Sequence, residues 1–531
     1  MIAKDFRLSA KDLVGCRYRT VLDYLGEDLD LRSEVGGRRH QHRAEHTQKV
    51  VRNISALQPV TQVLIDDNQD EVDHFLATLE AIASGAPLIA GGLLLGSGQQ
   101  SQPELLVRTD GGTGSSPGVT YAPVFIVAHK IFDRRTVAAE SGPLAVDTLR
   151  LGLSTPVPHP KLRTKPRHFD SVIAGQAHAL LSELGCAADM VGLIGFDDSK
   201  AVFESATAVR DVYATALRRT RHALAAARGE LAPVPMGTYP VAPRKVRECR
   251  TCRHWQRCEA ELAAADDISL LVPGDRGAEF RARGISTLTA LADDPAAGEM
   301  AALARAWKLQ LPALRKRDAV TAPRADVEID IDMEAYLEHG CYLWGTFDGQ
   351  QYRPFVTWGE LGGREEAENF AAFWQWLSAR RADAAAAGQT CLVYCYAAQG
   401  ENHWLRTSAR RFAQWSDELP GLPTLAEIEE FIASDQWVDM FRVVKKQLVG
   451  PYGLSLKTVA PIAGFQWRDA EPDGEASLEW YRRGLRTRLL EYNEDDCRST
   501  AVLRQWLDGG GAQLLPTVAQ CSPSVPKPAQ R

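Results

Sequence analysis

From residue 327 the chain reads VEIDIDMEAY, an alternation of apolar and acidic positions with the period of two that a strand imposes. That period puts Asp330, Asp332 and Glu334 on one face and Ile329, Ile331 and Met333 on the other. Taken alone, such a strand could sit at a sheet edge and show its acids to water. Strand patterns at 341–347 and 352–358 follow as a meander, then helical spacing over 364–380 and the apolar run CLVYCY at 391–396. The rest reads as mainly helical to about residue 508. It includes LLEYNEDDCRST (489–500), where Tyr492 and Asp496 stand four apart and share a helix face.

The first half has a different rhythm. Helical spacing over 13–27 and 43–57 leads into apolar segments at 87–96, 103–109 and 121–131. The last two flank the Gly/Ser-rich DGGTGSSPG and read as a hairpin, and 169–185 returns to helix. This helix–strand–strand–helix order predicts a mixed α/β domain. Segments 276–295 and 300–310 are helical again. Within them GISTL (284–288) resembles the turn of a helix–hairpin–helix unit, whose amides can hold a phosphate, though a plain helical spacer fits as well. TAPRAD (321–326) interrupts the pattern and marks a boundary. The expected organisation is an α/β domain over 1–265, a helical connector over 266–320, a second α/β domain over 321–510 and a Pro-rich, disordered tail over 511–531. No internal repeat or P-loop is visible.

Composition narrows the function classes. With 531 residues, 45% hydrophobic and 24% charged, and a net charge of −7, the chain reads as a globular protein of a few domains. No apolar run approaches the ~20 residues of a membrane span. The start, MIAKDFRLSA, lacks the apolar core of a secretory signal, so the cytoplasm is the expected location. Ten cysteines are too dilute for a disulfide scaffold, and a reducing compartment would keep them as thiols. A tight local group of them therefore points to a metal. Mild acidity does not exclude nucleic acid as a partner, because basic segments lie at 36–46, 243–258 and 480–488, each of which could equally be a solvated face.

CRTCRHWQRC (249–258) sets Cys249, Cys252 and Cys258 at C-x2-C-x5-C. A tetrahedral zinc or an iron–sulfur cubane takes four ligands. Cys16, in the first helical segment beside basic and aromatic residues, is the candidate fourth; Cys186 is the rival, and His254 would complete a Cys3His zinc set. A far-upstream cysteine plus this group resembles the iron–sulfur staple of the RecB-like nucleases of bacterial recombination and CRISPR-associated enzymes. The resemblance covers about residues 1–265. It implies a restriction-endonuclease-like fold whose two ends are tied by a 4Fe–4S cluster, a closure that disfavours the unfolded chain. It extends most closely to the bacterial subfamily in which that domain precedes an RNase H-like exonuclease of the YprB type.

RecB-like nucleases bring a histidine, two acids and a lysine around a divalent ion. Matched to that pattern are His46, Glu104 where an aspartate is usual, and Lys130, but Ala128 stands where the second acid is expected. His129 is a poor substitute, and only Gln176 and His178 remain of the Gln-and-Tyr motif. One carboxylate binds Mg²⁺ weakly. The domain is therefore expected to hold nucleic acid rather than cut it; the alternative recruits an acid from Asp110 or Asp133.

In the second half, D-x-E, a late strand-end acid and Tyr-x-x-x-Asp occur in the order of the DEDD exonucleases, relatives of the DnaQ proofreading domain with an RNase H-like fold. The resemblance maps Asp332 and Glu334 onto D-x-E, Glu401 onto a middle acid that is usually aspartate, and Tyr492 and Asp496 onto the last motif. A register shift of two would put Asp330 in place of Asp332, and Asp439 and Lys457 are possible supporting residues. The implied chemistry is hydrolysis of DNA, or RNA, in the 3′ to 5′ direction, with four carboxylates holding two Mg²⁺ or Mn²⁺ ions about 3.5–4 Å apart. Trp255, Trp404, Trp467 and Trp480 could stack on unpaired bases, although tryptophans more often serve the core. The competing class is a non-catalytic nucleic-acid-binding scaffold in repair or defence.

Overall fold

Contacts divide the chain into two units, Met1–Ala265 with Pro273–Asp275, and Asp266–Val272 with Arg276–Arg531. The structure is a computed structural model and describes residues 6–26, 34–64, 70–109, 118–165, 167–228, 242–336, 339–469 and 474–523.

In the first unit the apolar segments form a mixed sheet. Its strand order is Thr61–Gln62, Leu88–Ala90, Leu105–Thr109, Thr120–Ile126, Met190–Ile194, Lys200–Ser205, Leu144–Asp147, Val157–Pro158. Leu105–Thr109 and Thr120–Ile126 pair antiparallel, as the alternation predicts, and most of the loop between them lies outside the described residues. Helices His168–Glu183 and Ala206–Ala227 cover one face through Val172, Leu180, Val209 and Tyr213. The helix expected over 13–27 is instead two short ones, Ala10–Leu13 and Arg17–Tyr24. Gly15, at φ +87°, breaks the run, so Cys16 caps the second helix rather than sitting inside it.

The second unit is built on strands β1 (Val327–Tyr336), β2 (Gly340–Phe347), β3 (Tyr352–Val356), β4 (Cys391–Cys395) and β5 (Trp437–Asp439), in the order β3-β2-β1-β4-β5. The β1–β2–β3 meander is antiparallel and β4 and β5 run parallel to β1. The helices are α1 (Arg364–Ala386), α2 (Gln399–Phe412), α3 (Leu425–Ala433), α4 (Met440–Gln447), α5 (Leu456–Val459), α6 (Gly474–Arg482) and α7 (Arg486–Asp508). Ile329 and Ile331 bury under α1 and α2 with Phe370, Phe373 and Leu405. The even-numbered residues of β1 face the other way, toward α7 and α6. Both faces are thus covered, with Asp330 and Glu334 buried and Asp332 half-buried between them.

Two expectations about the ends of this unit change. The segment read as a connector forms short helices, Ala278–Ala282, Leu288–Asp293 and Glu299–Lys308, which belong to the second unit. Within GISTL the amides of Gly284, Ile285 and Leu288 are already committed, to Arg281 O (3.0 Å), Phe280 O (2.9 Å) and Asp266 O (2.7 Å), and cannot hold a phosphate. The tail expected to be disordered from residue 511 instead has helical turns at Gly511–Leu514 and Val518–Cys521. Cys521 is buried with Ala302, Ala306 and Leu314, and that apolar anchor orders it. Residues 524–531 lie outside the described residues. Among the described residues no helix is long and apolar enough to cross a membrane.

Candidate active site

The acids of β1 meet different fates. Asp330 is buried against the guanidinium of Arg504, whose Nη2 donates to Oδ2 at 3.0 Å while Nη1 donates to Oδ1. Burial lifts its carboxyl to about 6 against the pull of Arg504. That fixed ion pair removes Asp330 as a substitute for Asp332.

One pleat further, Asp332 and Glu334 meet Asp496 of α7, with one oxygen from each acid within 4.8 Å of the other two. Each is oriented by a donor. Asn493 Nδ2 donates to Asp332 Oδ2 at 2.7 Å and its own oxygen accepts from Tyr352 OH at 2.8 Å. Ser477 Oγ on α6 donates to Glu334 Oε2 at 2.7 Å. Lys457 Nζ donates to Asp496 Oδ1 at 2.8 Å and to Tyr492 OH at 3.0 Å, and Trp467 Nε1 reaches the same Oδ1 at 2.7 Å. Glycine makes room for one of these bonds. Gly345 lies opposite Asp332 in the β1–β2 register, and a Cβ there would stand 1.7 Å from Asn493 Oδ1.

The electrostatics are unfavourable as they stand. Two unit charges at this separation repel by roughly 3 kcal/mol at an effective dielectric near 20. Burial first, then Asp496, Glu334 and Glu401, hold the Asp332 carboxyl well above its usual range, although solvent still reaches that residue. Burial pushes Glu334 up to about 8 and also raises Asp496, where Lys457 opposes it. One lysine cannot neutralise three acids. The donor set is all carboxylate oxygen, which suits a hard dication such as Mg²⁺ or Mn²⁺.

Glu401 stands apart from this trio. It lies in the first turn of α2, not at the end of β4 as the apolar run leading into it suggested, because the chain turns early at Ala397, φ +67°. Asp439 Oδ1 accepts the Ala397 N–H at 3.2 Å and so holds a left-handed turn that a non-glycine residue resists. Glu401 is buried and lifted to about 8 by that burial and by the Asp439 charge, and Asp332 feels its field.

In the first unit the matched residues do not assemble a cation site. Glu104 is half-buried and already neutralised, accepting from Arg43 Nη2 at 2.6 Å and Ile126 N–H at 3.0 Å. His46 Nε2 meets Gly195 O at 3.0 Å. Lys130 is exposed and paired with Asp133 at 3.0 Å, an acid that Lys165 also holds at 3.0 Å. His129 pairs with Asp170, Gln176 Nε2 donates to Leu8 O and His178 meets Ala188 O. Asp110 lies outside the described residues.

The cysteines do gather. Burial and the nearby Cys16, Cys252 and Cys249 push the Cys258 thiol up to about 12, and Cys16 and Cys252 likewise raise Cys249. Cys186 is elsewhere, its thiol facing Leu181 O. His254 is engaged through Nε2 with Asp23 Oδ1 at 2.6 Å. Among the described residues only the trio Asp332, Glu334 and Asp496 brings three such ligand atoms within 4.8 Å, so no three of these sulfurs are that close. Of the tryptophans, Trp404 and Trp480 are buried and Trp467 serves Asp496.

Sequence reasoning missed Asn493, Ser477 and Gly345. The glycine inside the strand pattern CYLWGTF was a usable sign of close backbone approach. Nothing marked Ser477.

Residues 331–508 match the RNase_H_2 family model, described as RNase_H superfamily. The carboxyl-terminal domain is thus an RNase H superfamily domain, a class that suggests a nuclease. No curated protein matches the chain, and no solved structure does.

Two outcomes follow from this geometry. Gly345→Ala or Asn493→Ala frees the Asp332 carboxylate and should weaken Mn²⁺ binding ~10–100-fold in calorimetric titration. In chelator, acids lifted toward 8 must ionise inside the fold, so thermal stability should fall as pH rises from about 5 through about 8, and Mn²⁺ should flatten that slope.

Proposed function

We propose that the carboxyl-terminal domain is a metal-dependent nuclease, with Asp332, Glu334 and Asp496 holding one divalent cation and Glu401, backed by Asp439, serving a second. The observation that carries this reading is the convergence of three carboxylate oxygens from β1 and α7 within 4.8 Å, each oriented by a donor of its own. The RNase H superfamily match over 331–508 supports it. Divalent ions there supply the Lewis acidity that phosphodiester hydrolysis needs. Asn493 and Ser477 keep two ligand oxygens from rotating. Trp467 and Lys457 both donate to Asp496 Oδ1, which would fix that carboxylate while it holds a cation. Tyr492, bonded to Lys457 at 3.0 Å, is set to orient the attacking water. The 3′ to 5′ direction is carried by the DEDD resemblance alone.

The first unit, in the same reading, is a RecB-like domain that holds nucleic acid without cutting it. Arg43 on Glu104 supports that role, since a guanidinium already fills the place of a cation. Cys16, Cys249, Cys252 and Cys258 form its 4Fe–4S staple. Sulfurs around a single zinc would stand ~3.8 Å apart, given bonds of about 2.3 Å. No three of these sulfurs lie within 4.8 Å of one another, so they do not stand as ligands of one zinc.

Single- and double-stranded DNA and RNA are incubated with Mg²⁺ or Mn²⁺ to test the nuclease. Asp332→Asn should abolish cleavage with the fold intact by circular dichroism, and Lys130→Ala should stay within about twofold of wild type. Loss with Lys130→Ala alone would move the activity to the first unit, and binding without cleavage would favour a scaffold. For the staple, anaerobic protein should be brown with four irons per chain, and Cys16→Ser should be colourless. Colourless wild-type protein carrying one zinc would refute it.

A further inference from the structure

The two ends of the first unit are joined by bonds that involve no cysteine. Tyr18 and Asp23 stand on the helix Arg17–Tyr24, which Cys16 caps, and their partners lie on the segment that carries Cys252 and Cys258. Tyr18 OH donates to Glu261 Oε2 at 2.8 Å, and Arg257 Nε donates to the other oxygen of that carboxylate at 2.7 Å. Asp23 Oδ1 takes three contacts, from His254 Nε2 at 2.6 Å and from Arg253 Nη2 and Nε at 2.6 and 3.1 Å.

Burial strengthens the Asp23 end. The His254 side chain is fully enclosed and that of Asp23 is 15% exposed. Salt screens such a pair poorly, and removing one partner is strongly destabilising. The bonded residues stand 230 to 243 apart in sequence, so each bond closes a very long loop. That is the same closure the iron–sulfur staple would make.

The thiols ride on this closure. Cys16 begins the helix that bears Tyr18 and Asp23, Cys252 directly precedes Arg253 and His254, and Cys258 shares a helix with Glu261. Bonds between these neighbours bring the sulfurs toward one another, yet no three of them lie within 4.8 Å. A zinc finger is the opposite case, because its ligands converge only when the metal draws the chain in.

We propose that Asp23 with Arg253 and His254, and Tyr18 with Glu261, form a clasp that keeps the first unit closed whether or not the cysteine group holds a metal. The group can then lose its metal inside a folded domain. The inference deepens the staple reading, and only its metal-bound half rests on that reading.

The test is hydrogen–deuterium exchange of the full chain, followed in the helices Arg17–Tyr24 and Trp255–Ala264 with the strand Thr120–Ile126 as reference. Metal-loaded wild type is compared with a quadruple variant carrying Cys16→Ser, Cys249→Ser, Cys252→Ser and Cys258→Ser. Protection of both helices in the quadruple variant, and in chelator-stripped wild type, should stay within about threefold of the loaded protein. Adding Asp23→Ala and Tyr18→Phe to the quadruple variant should cut that protection at least ~tenfold with the reference strand unmoved. The same two substitutions in loaded protein should change it by less than about threefold. If the combined variant does not fold, Tyr18→Phe alone in the quadruple variant should cut protection about fivefold, the effect of one hydrogen bond. Helices that loosen when the cysteines are replaced or the metal is stripped would overturn the proposal. Clasp substitutions that leave the quadruple variant unchanged would overturn it too. Wild-type protein isolated without metal would count against the staple alone, and exchange in the quadruple variant would still decide the clasp.

Discussion

Burying acids close together is tolerable only when something positive stands between them, and this molecule meets that constraint in two ways. Along β1, Asp330 is neutralised by a covalently attached cation, the Arg504 guanidinium, which seals it into the core. One pleat on, Asp332 and Glu334 face Asp496 with only Lys457 to offset three charges. The first arrangement is complete and therefore inert. The second is short of positive charge, and an exchangeable dication is what such oxygen ligands take. The first unit follows the inert pattern, since Arg43 on Glu104 leaves no room for a metal to matter.

The scaffold keeps the deficient site from relaxing. A strand supplies two acids at a spacing that its pleat fixes, and a helix packed across the sheet supplies the third. Donors on three different segments, Asn493, Ser477 and Lys457, then hold the carboxylates in place. A missing side chain at Gly345 is part of the same device, because it opens the space that Asn493 fills. Glu401 depends on another local exception, the left-handed Ala397 turn pinned by Asp439.

Much of this was legible in the chain because it is periodic. The alternation in VEIDIDMEAY gave both the strand and the face, and the spacing of Tyr492 and Asp496 gave the helix that meets it. What periodicity cannot show is which distant residue arrives opposite. Arg504 decides that Asp330 is structural, and Ser477 decides how Glu334 points, yet both lie more than a hundred residues away. The placing of Glu401 at a strand end failed for a local reason, a single left-handed residue that starts α2 early. Disorder in the tail was read from proline content, and over 511–521 the buried Cys521 outweighed it.

The most direct test is to locate a metal. Crystals soaked in Mn²⁺ and measured at the manganese absorption edge should show an anomalous peak about 2.1–2.2 Å from oxygens of Asp332, Glu334 and Asp496. The peak should vanish in Asp496→Asn. Density for a water or a lysine contact there with no anomalous signal, at Mn²⁺ concentrations that support cleavage, would contradict the account.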